Sequence, residues 1–285
     1  LIKKFYRKYS GLRGKIGIHP LILATMFLRK ILFIIILTVP TALLAQELPA
    51  SDSLVSVRPK TPITRFNESF ISYIPPVAFI TYGVLSFHVN GIRQIDYDIH
   101  NDRQADHPGF KTNLDNISQF LPAVMVYGLN IAGVKGKHNF ADRTALYVLS
   151  EGIFAGSTFI TKKTSNRLRP NAADRYSFPS GHTGNAFASA EFLNQEYGDI
   201  SPWYSIAGYT IAATTGVLRI YNNEHWFSDV VAGAGVGVLS TKLAYLIYPV
   251  IKRQFTHGKQ NPGVGTIIIP TYQDHVIGLA FVKTL

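Results

Sequence analysis

The 285-residue chain is 47% hydrophobic but only 16% charged, well below the roughly 25% usual in soluble domains, so its composition leans toward a membrane. Its net charge of +11 does not mark nucleic-acid binding: residues 1–30 hold eight Lys/Arg and no acid, and the remainder carries 20 Lys/Arg against 17 Asp/Glu. Zero cysteines exclude disulfides, thiolate zinc sites and cysteine nucleophiles.

Residues 1–25 precede Met26, begin with leucine, and read as an over-extended gene start. Residues 26–45 (MFLRKILFIIILTVPTALLA) combine a basic start, an apolar run from Ile31 to Leu44 and a small residue at Ala45, the pattern of a secretory signal or of an uncleaved anchor. Residues 46–65 are rich in Ser, Pro and Thr, lack an apolar period, and read as an exported linker.

Uncharged stretches then recur at 69–91, 116–134 and 200–218, and two more, 144–161 and 230–251, are broken only by Glu151 and Lys242. Their lengths suit a bilayer crossing, and their Ser, Asn, Tyr and Gly content suits helices packed on one another. The expected fold is all-α, a helical bundle that crosses the membrane several times. The polar stretch 95–113 contains Asp96, Asp98, Asp102 and Asp106 but lacks the glycine and terminal glutamate of a calcium loop, and is expected to be a solvated loop. His100, His107 and His138 have no ligand spacing and are expected at the surface. Near the C-terminus, GTIIIPTY and HVIGLAFV flank Gln273 and Asp274, a signal for a short β-hairpin within a 254–285 tail.

Three polar clusters interrupt the apolar pattern. The first, KKTSNRLRP, places Lys162 ahead of Arg169 and Pro170 with six residues between the lysine and the arginine; the second is FPSGH, Phe178–His182; the third, LRIYNNEHWFSD, spaces Arg219, His225 and Asp229 with five and three residues between them. A phosphate ester must have its negative oxygens neutralised before a nucleophile approaches, and Lys162, Arg169 and Arg219 supply the cations. Pro170 is expected to stop the helix carrying Lys162. Ser180 is a natural N-cap, and the free N–H groups after Gly181 form an anion seat beside His182. If a helix runs through the third cluster, His225 and Asp229 share one face, so the carboxylate holds one ring nitrogen and leaves the other free as nucleophile or base. Each cluster also has a bland reading as an interface cation, a helix cap or a solvated helix face.

In this order and spacing the clusters resemble the three-part signature of the type 2 phosphatidic acid phosphatase family, which shares its site with vanadium haloperoxidases. The resemblance implies a phosphatase helical domain over residues 66–253. It further implies that Lys162, Arg169, Ser180, Gly181 and Arg219 bind phosphate, His225 attacks phosphorus, Asp229 orients His225, and His182 protonates the leaving alkoxide. No metal or other cofactor is expected, with vanadate an inhibitor at the phosphate site. The family usually carries serine immediately before the third-cluster arginine, where this chain has Leu218.

The expected function is acid hydrolysis of a lipid phosphate or diphosphate of the phosphatidate, polyprenyl diphosphate, phosphatidylglycerol phosphate or lipid A type. The expected location is the inner membrane of a bacterial-type envelope, with the site facing the periplasm. The alternatives are a vanadate-dependent haloperoxidase and a non-catalytic lipid-binding membrane protein.

Overall fold

The computed structural model describes residues 69–256 together with the backbone of two strands, β1 (Gly265–Gln273) and β2 (Val276–Thr284). The expected gene-start, signal and linker segments at 1–65 lie outside the described residues. The strands pair antiparallel, Gln273 opposite Val276. The turn of the expected hairpin, at 274–275, also lies outside them.

Residues 69–256 are all helical in their regular structure, consistent with the all-α expectation. After a short 3-10 turn at Phe70–Tyr73 come α1 (Ile74–Leu85), α2 (Asn90–Asp106), α3 (Leu114–Ser118), α4 (Leu121–Ile131), α5 (Phe140–Ser165), α6 (Gly181–Tyr197), α7 (Pro202–Tyr221) and α8 (Phe227–Thr256). Local chemistry sets several of these bounds. Asn139 caps α5 by accepting from the Asp142 N–H at 2.9 Å, and Pro at the first position with a Ser201 cap starts α7. The end of α5 comes earlier than expected. Asn166, left-handed at φ 46°, terminates it four residues before Pro170, because asparagine tolerates that conformation as a C-terminal residue.

Two further expectations are corrected. Residues 95–113 are not a solvated loop: α2 covers them through Asp106, and it buries Asp96 and Arg103 on one face. That face is satisfied by polar partners instead of apolar contacts, Asp96 by Arg167 and Ser228 and Arg103 by the Tyr221 and Phe110 carbonyls, which is why the segment reads as solvent-exposed in sequence. The apolar stretches 69–91 and 116–134 are each broken, the first by an 88° bend between α1 and α2, the second between α3 and α4.

The centre of the bundle is α6, most of whose residues are buried. It runs parallel to α8. The Ser180 N–H donates to the Asp229 carbonyl at 3.0 Å, Thr241 of α8 donates to the Ala188 carbonyl at 3.1 Å, and Tyr245 donates to Glu196 at 2.7 Å. Glycines permit this approach. A Cβ on Gly233 would lie 2.5 Å from the Ser180 carbonyl oxygen, and one on Gly237 would lie 2.0 Å from that of Gly184.

The interior is unusually polar. Buried ion pairs join Arg143 to Glu196 at 3.0 Å and Lys242 to Glu191 at 3.0 Å, while Ser150 of α5 bonds Thr241 of α8 at 2.6 Å. The outside is the reverse: Phe159, Trp203, Leu246 and Val250 are all exposed. Polar contacts inside and apolar side chains outside are the arrangement favoured where the surroundings are hydrocarbon.

Among the described residues one helix, Phe227–Gln254, is long and apolar enough to cross a bilayer, and the bent α1–α2 pair makes a second if taken as one span. The expectation of five such stretches is therefore reduced. The stretches 144–161 and 200–218 are helical, but their Ser, Thr and Gly residues lower their hydropathy.

Candidate active site

The four long helices alternate in direction, so the C-terminal ends of α5 and α7 and the N-terminal ends of α6 and α8 meet at one end of the bundle. Lys162 comes from the last turn of α5, Arg219 from that of α7, His182 from the first turn of α6 and Asp229 from that of α8. The positive ends of two helix dipoles thus face the same place as the cations.

No helix runs through the third cluster. Helix α7 ends at Tyr221 and α8 begins at Phe227, which leaves His225 in the connecting turn, where Asn223 adopts φ 62°. The His225 ring is buried, with Nδ1 facing Asp229 Oδ2 at 3.7 Å. Its Nε2 lies 3.4 Å from Arg169 Nη1. The expected sharing of a helix face is replaced by a turn that brings the two side chains together, and the 3.7 Å gap is longer than a hydrogen bond. Burial, the largest influence, holds the His225 pKa down to about 4.

The expected cations converge from separate elements. Arg169 donates from Nε to Asp174 at 2.8 Å and from Nη1 to Glu224 Oε2 at 2.8 Å. Arg219 Nη2 lies 3.4 Å from the same Glu224 oxygen, and its Nη1 pairs with Asp115. One carboxylate oxygen therefore already rests between two guanidinium groups, beside the His225 ring. Lys162 donates to the Tyr176 carbonyl at 2.6 Å. Burial, followed by Arg169, lowers its pKa to about 8.

Ser180 occupies the N-cap position of α6, but its side chain bonds Thr183 Oγ1 at 2.9 Å and makes no cap bond to the backbone. The anion seat is left to the N–H groups that follow. A Cβ on Gly181 would meet Lys162 Cε at 4.0 Å, so the glycine lies against the lysine stem. His182 Nε2 is 2.8 Å from Asn116 Oδ1 of α3.

Several participants were not singled out in the sequence. Arg167, within the first cluster, pairs with Asp229 and with Asp96, each at 2.7 Å. Ser177 donates to Asp229 Oδ2. Asp115 pairs with Arg219. Glu224 directly precedes His225. Nothing in the local sequence marks Arg167 or Asp96, because the two partners are 71 residues apart.

His138, expected at the surface, is half-buried and bonds Glu196 at 2.7 Å. His100 and His107 instead contact the rings of Trp226 and Tyr221. Among the described residues, no group of three His, Asp or Glu side chains converges as metal ligands would.

Residues 143–253 match the PAP2 superfamily. Over 163 residues the chain is 40% identical to a lipid A 1-phosphatase of Porphyromonas gingivalis, an alignment covering 57% of this chain and 37% of that protein. The chain thus spans little more than a third of that relative's length. Among solved structures it is similar to a transmembrane PAP2-type phosphatidylglycerolphosphate phosphatase from Bacillus subtilis, with 23% identity, a TM-score of 0.44 and coverage of 63% of this chain and 98% of that one. It is also similar to LpxE of Aquifex aeolicus, with 20% identity, a TM-score of 0.40 and coverage of 51% and 93%.

Proposed function

We propose that the protein is a membrane phosphatase of the PAP2 type that removes phosphate from a lipid phosphate through a phosphohistidine, a reading supported by the match of residues 143–253 to the PAP2 superfamily. The observation that carries this reading is the Glu224 carboxylate oxygen shared by Arg169 and Arg219, with Arg169 3.4 Å from His225 Nε2. Two guanidinium groups already converge on an anion within reach of a neutral, buried imidazole.

In the proposed reaction, Lys162, Arg169, Arg219 and the N–H groups after Ser180 and Gly181 hold the phosphoryl oxygens. His225 Nε2 attacks phosphorus as the bond to the lipid oxygen breaks, and His182 donates a proton to that oxygen. Asp229 steadies the ring through Nδ1. Water then attacks the phosphohistidine and gives its proton to His182, releasing inorganic phosphate and free His225. Every step uses side chains of this chain, and charge development is met by fixed cations in a site largely removed from water.

A lipid is favoured over a soluble ester because apolar side chains cover the outside of the helices that build the site. The kinship with a lipid A 1-phosphatase favours a phosphorylated glycolipid within that class. We place the protein in a bacterial-type envelope membrane, with the site on its exported side.

The test is phosphate release from a panel of lipid phosphates in detergent with excess chelator. Chelator-resistant turnover abolished by His225→Ala supports the reading, and turnover unchanged in the variant removes His225 as nucleophile.

A further inference from the structure

The reacting histidine is steadied by a carboxylate, and that carboxylate is itself held by a chain of buried charge reaching outside the family-matched residues. Asp229 is fully buried. Its Oδ1 accepts from Arg167 Nη1 at 2.7 Å, and its Oδ2 accepts from Ser177 Oγ and from the Trp226 N–H at 3.0 Å. The remaining acceptor direction faces His225 Nδ1.

Arg167 uses its other nitrogen, Nη2, to reach Asp96 Oδ2 at 2.7 Å, and its guanidinium lies 5.0 Å from the Phe87 ring centroid. Asp96, also buried, accepts from the Ser228 N–H at 2.8 Å and from Ser228 Oγ at 2.6 Å. It thereby satisfies a free donor in the first turn of α8, one residue before Asp229.

We propose that Asp96 and Arg167 are positioning residues of the reaction: Asp96 fixes Arg167 and the start of α8, and Arg167 fixes Asp229 and offsets its charge, so that His225 stays neutral and aimed. The proposal rests on the functional reading above. An unopposed Asp229 would draw a proton onto the His225–Asp229 pair and convert a nucleophile into an imidazolium. Arg169 lies 3.4 Å from the His225 ring, Lys162 acts on it through its charge, and Arg219 shares Glu224 with Arg169. These groups are unchanged by substitution at Arg167, which isolates its effect. Neither Arg167 nor Asp96 is placed on the phosphate, so both act through Asp229.

The experiment uses the full chain in detergent, with Arg167→Met, Arg167→Lys and Asp96→Asn. The readouts are a nitrogen-15 titration of the His225 ring, assigned by its loss in His225→Gln, and kcat for lipid phosphate release. Binding of inorganic phosphate serves as the folding control. Arg167→Met is expected to raise the midpoint of the His225–Asp229 pair by about one to three pH units and to lower kcat roughly 100-fold, with inorganic phosphate still bound. Arg167→Lys keeps the midpoint but not the rate, since an ammonium lacks the fork that spans two carboxylates. Asp96→Asn lowers the rate without raising the midpoint.

A folded Arg167→Met with the wild-type midpoint overturns the proposal, and a fall in rate alone then marks scaffolding. Should Arg167→Met fail to fold, Arg167→Lys with wild-type rate overturns it. If the wild-type chain releases phosphate from no lipid, the functional reading fails, while the midpoint still decides whether Arg167 governs His225.

Discussion

His182 Nε2 and Asn116 Oδ1 lie 2.8 Å apart, tying the first turn of α6 to the short helix α3. Burial, with Arg219 next in effect, pushes the His182 pKa down to about 4. With no anion beside it the ring is then neutral, and its one N–H is a poor proton donor to a leaving alkoxide. A phosphate dianion would offset the cations and favour the imidazolium. Nitrogen-15 spectra of His182 should show a midpoint near 4 without ligand and one at least about a unit higher with saturating inorganic phosphate. A midpoint unmoved by phosphate would remove His182 as the proton donor.

Lys162 loses its charge as pH rises through about 8, so kcat/KM should fall above that value, as the free enzyme loses one of its phosphate-binding cations. Lys162→Arg keeps its charge to far higher pH and should move the alkaline limb upward, at a lower maximal rate. An alkaline limb that stays in place would assign it to another group.

Glu224 bonds Arg169 and lies against Arg219, so on the proposed function it would compete with phosphate for both. The carboxylate is one-third exposed, so the competition is modest, on the scale of ~1 kcal/mol or less. Inhibition by vanadate should tighten roughly two- to fivefold in Glu224→Gln. Weaker inhibition would show instead that Glu224 holds the arginines in place for the anion.

The Arg143–Glu196 pair, with side chains 1% and 0% exposed, is a liability once broken. Arg143→Met leaves the carboxylate without its guanidinium and should cost about 3–5 kcal/mol in denaturant unfolding, against a smaller loss in Arg143→Met/Glu196→Gln. Equal losses in the single and double variants would show that the two charges are not coupled.

The convergence of Lys162, Arg169, His182, Arg219 and His225 at one end of the bundle was legible in sequence, because each lies in a short local motif. What lay beyond reach was tertiary. Asp96 sits in a segment whose many charges look solvated, and only the approach of α2 to the start of α8 turns one of them inward. Arg167 falls between the two positions that define the first cluster and is silent in any spacing rule. Asp115 is silent in sequence because its partner, Arg219, is 104 residues away. The geometry of His225 was misjudged for the opposite reason. The i, i+4 spacing to Asp229 fits a helix, but Asn222 and Asn223 form a turn there, and local chemistry overrode the periodicity.

The parallel course of α6 and α8 also sets which end of the bundle the far end of α8 occupies. Helix α8 has 30 residues, about 45 Å at the usual rise, and leaves the reaction end at Asp229 to finish near Lys252 and Arg253 at the other. In a bilayer, those basic residues would sit on the cytoplasmic face while phosphate is released on the far side. A fluorescent or alkaline-phosphatase reporter fused at Thr256, the last residue of α8, would thus report the compartment opposite to the one where the proposed substrate is hydrolysed, giving a reading of orientation that needs no knowledge of which lipid is cleaved.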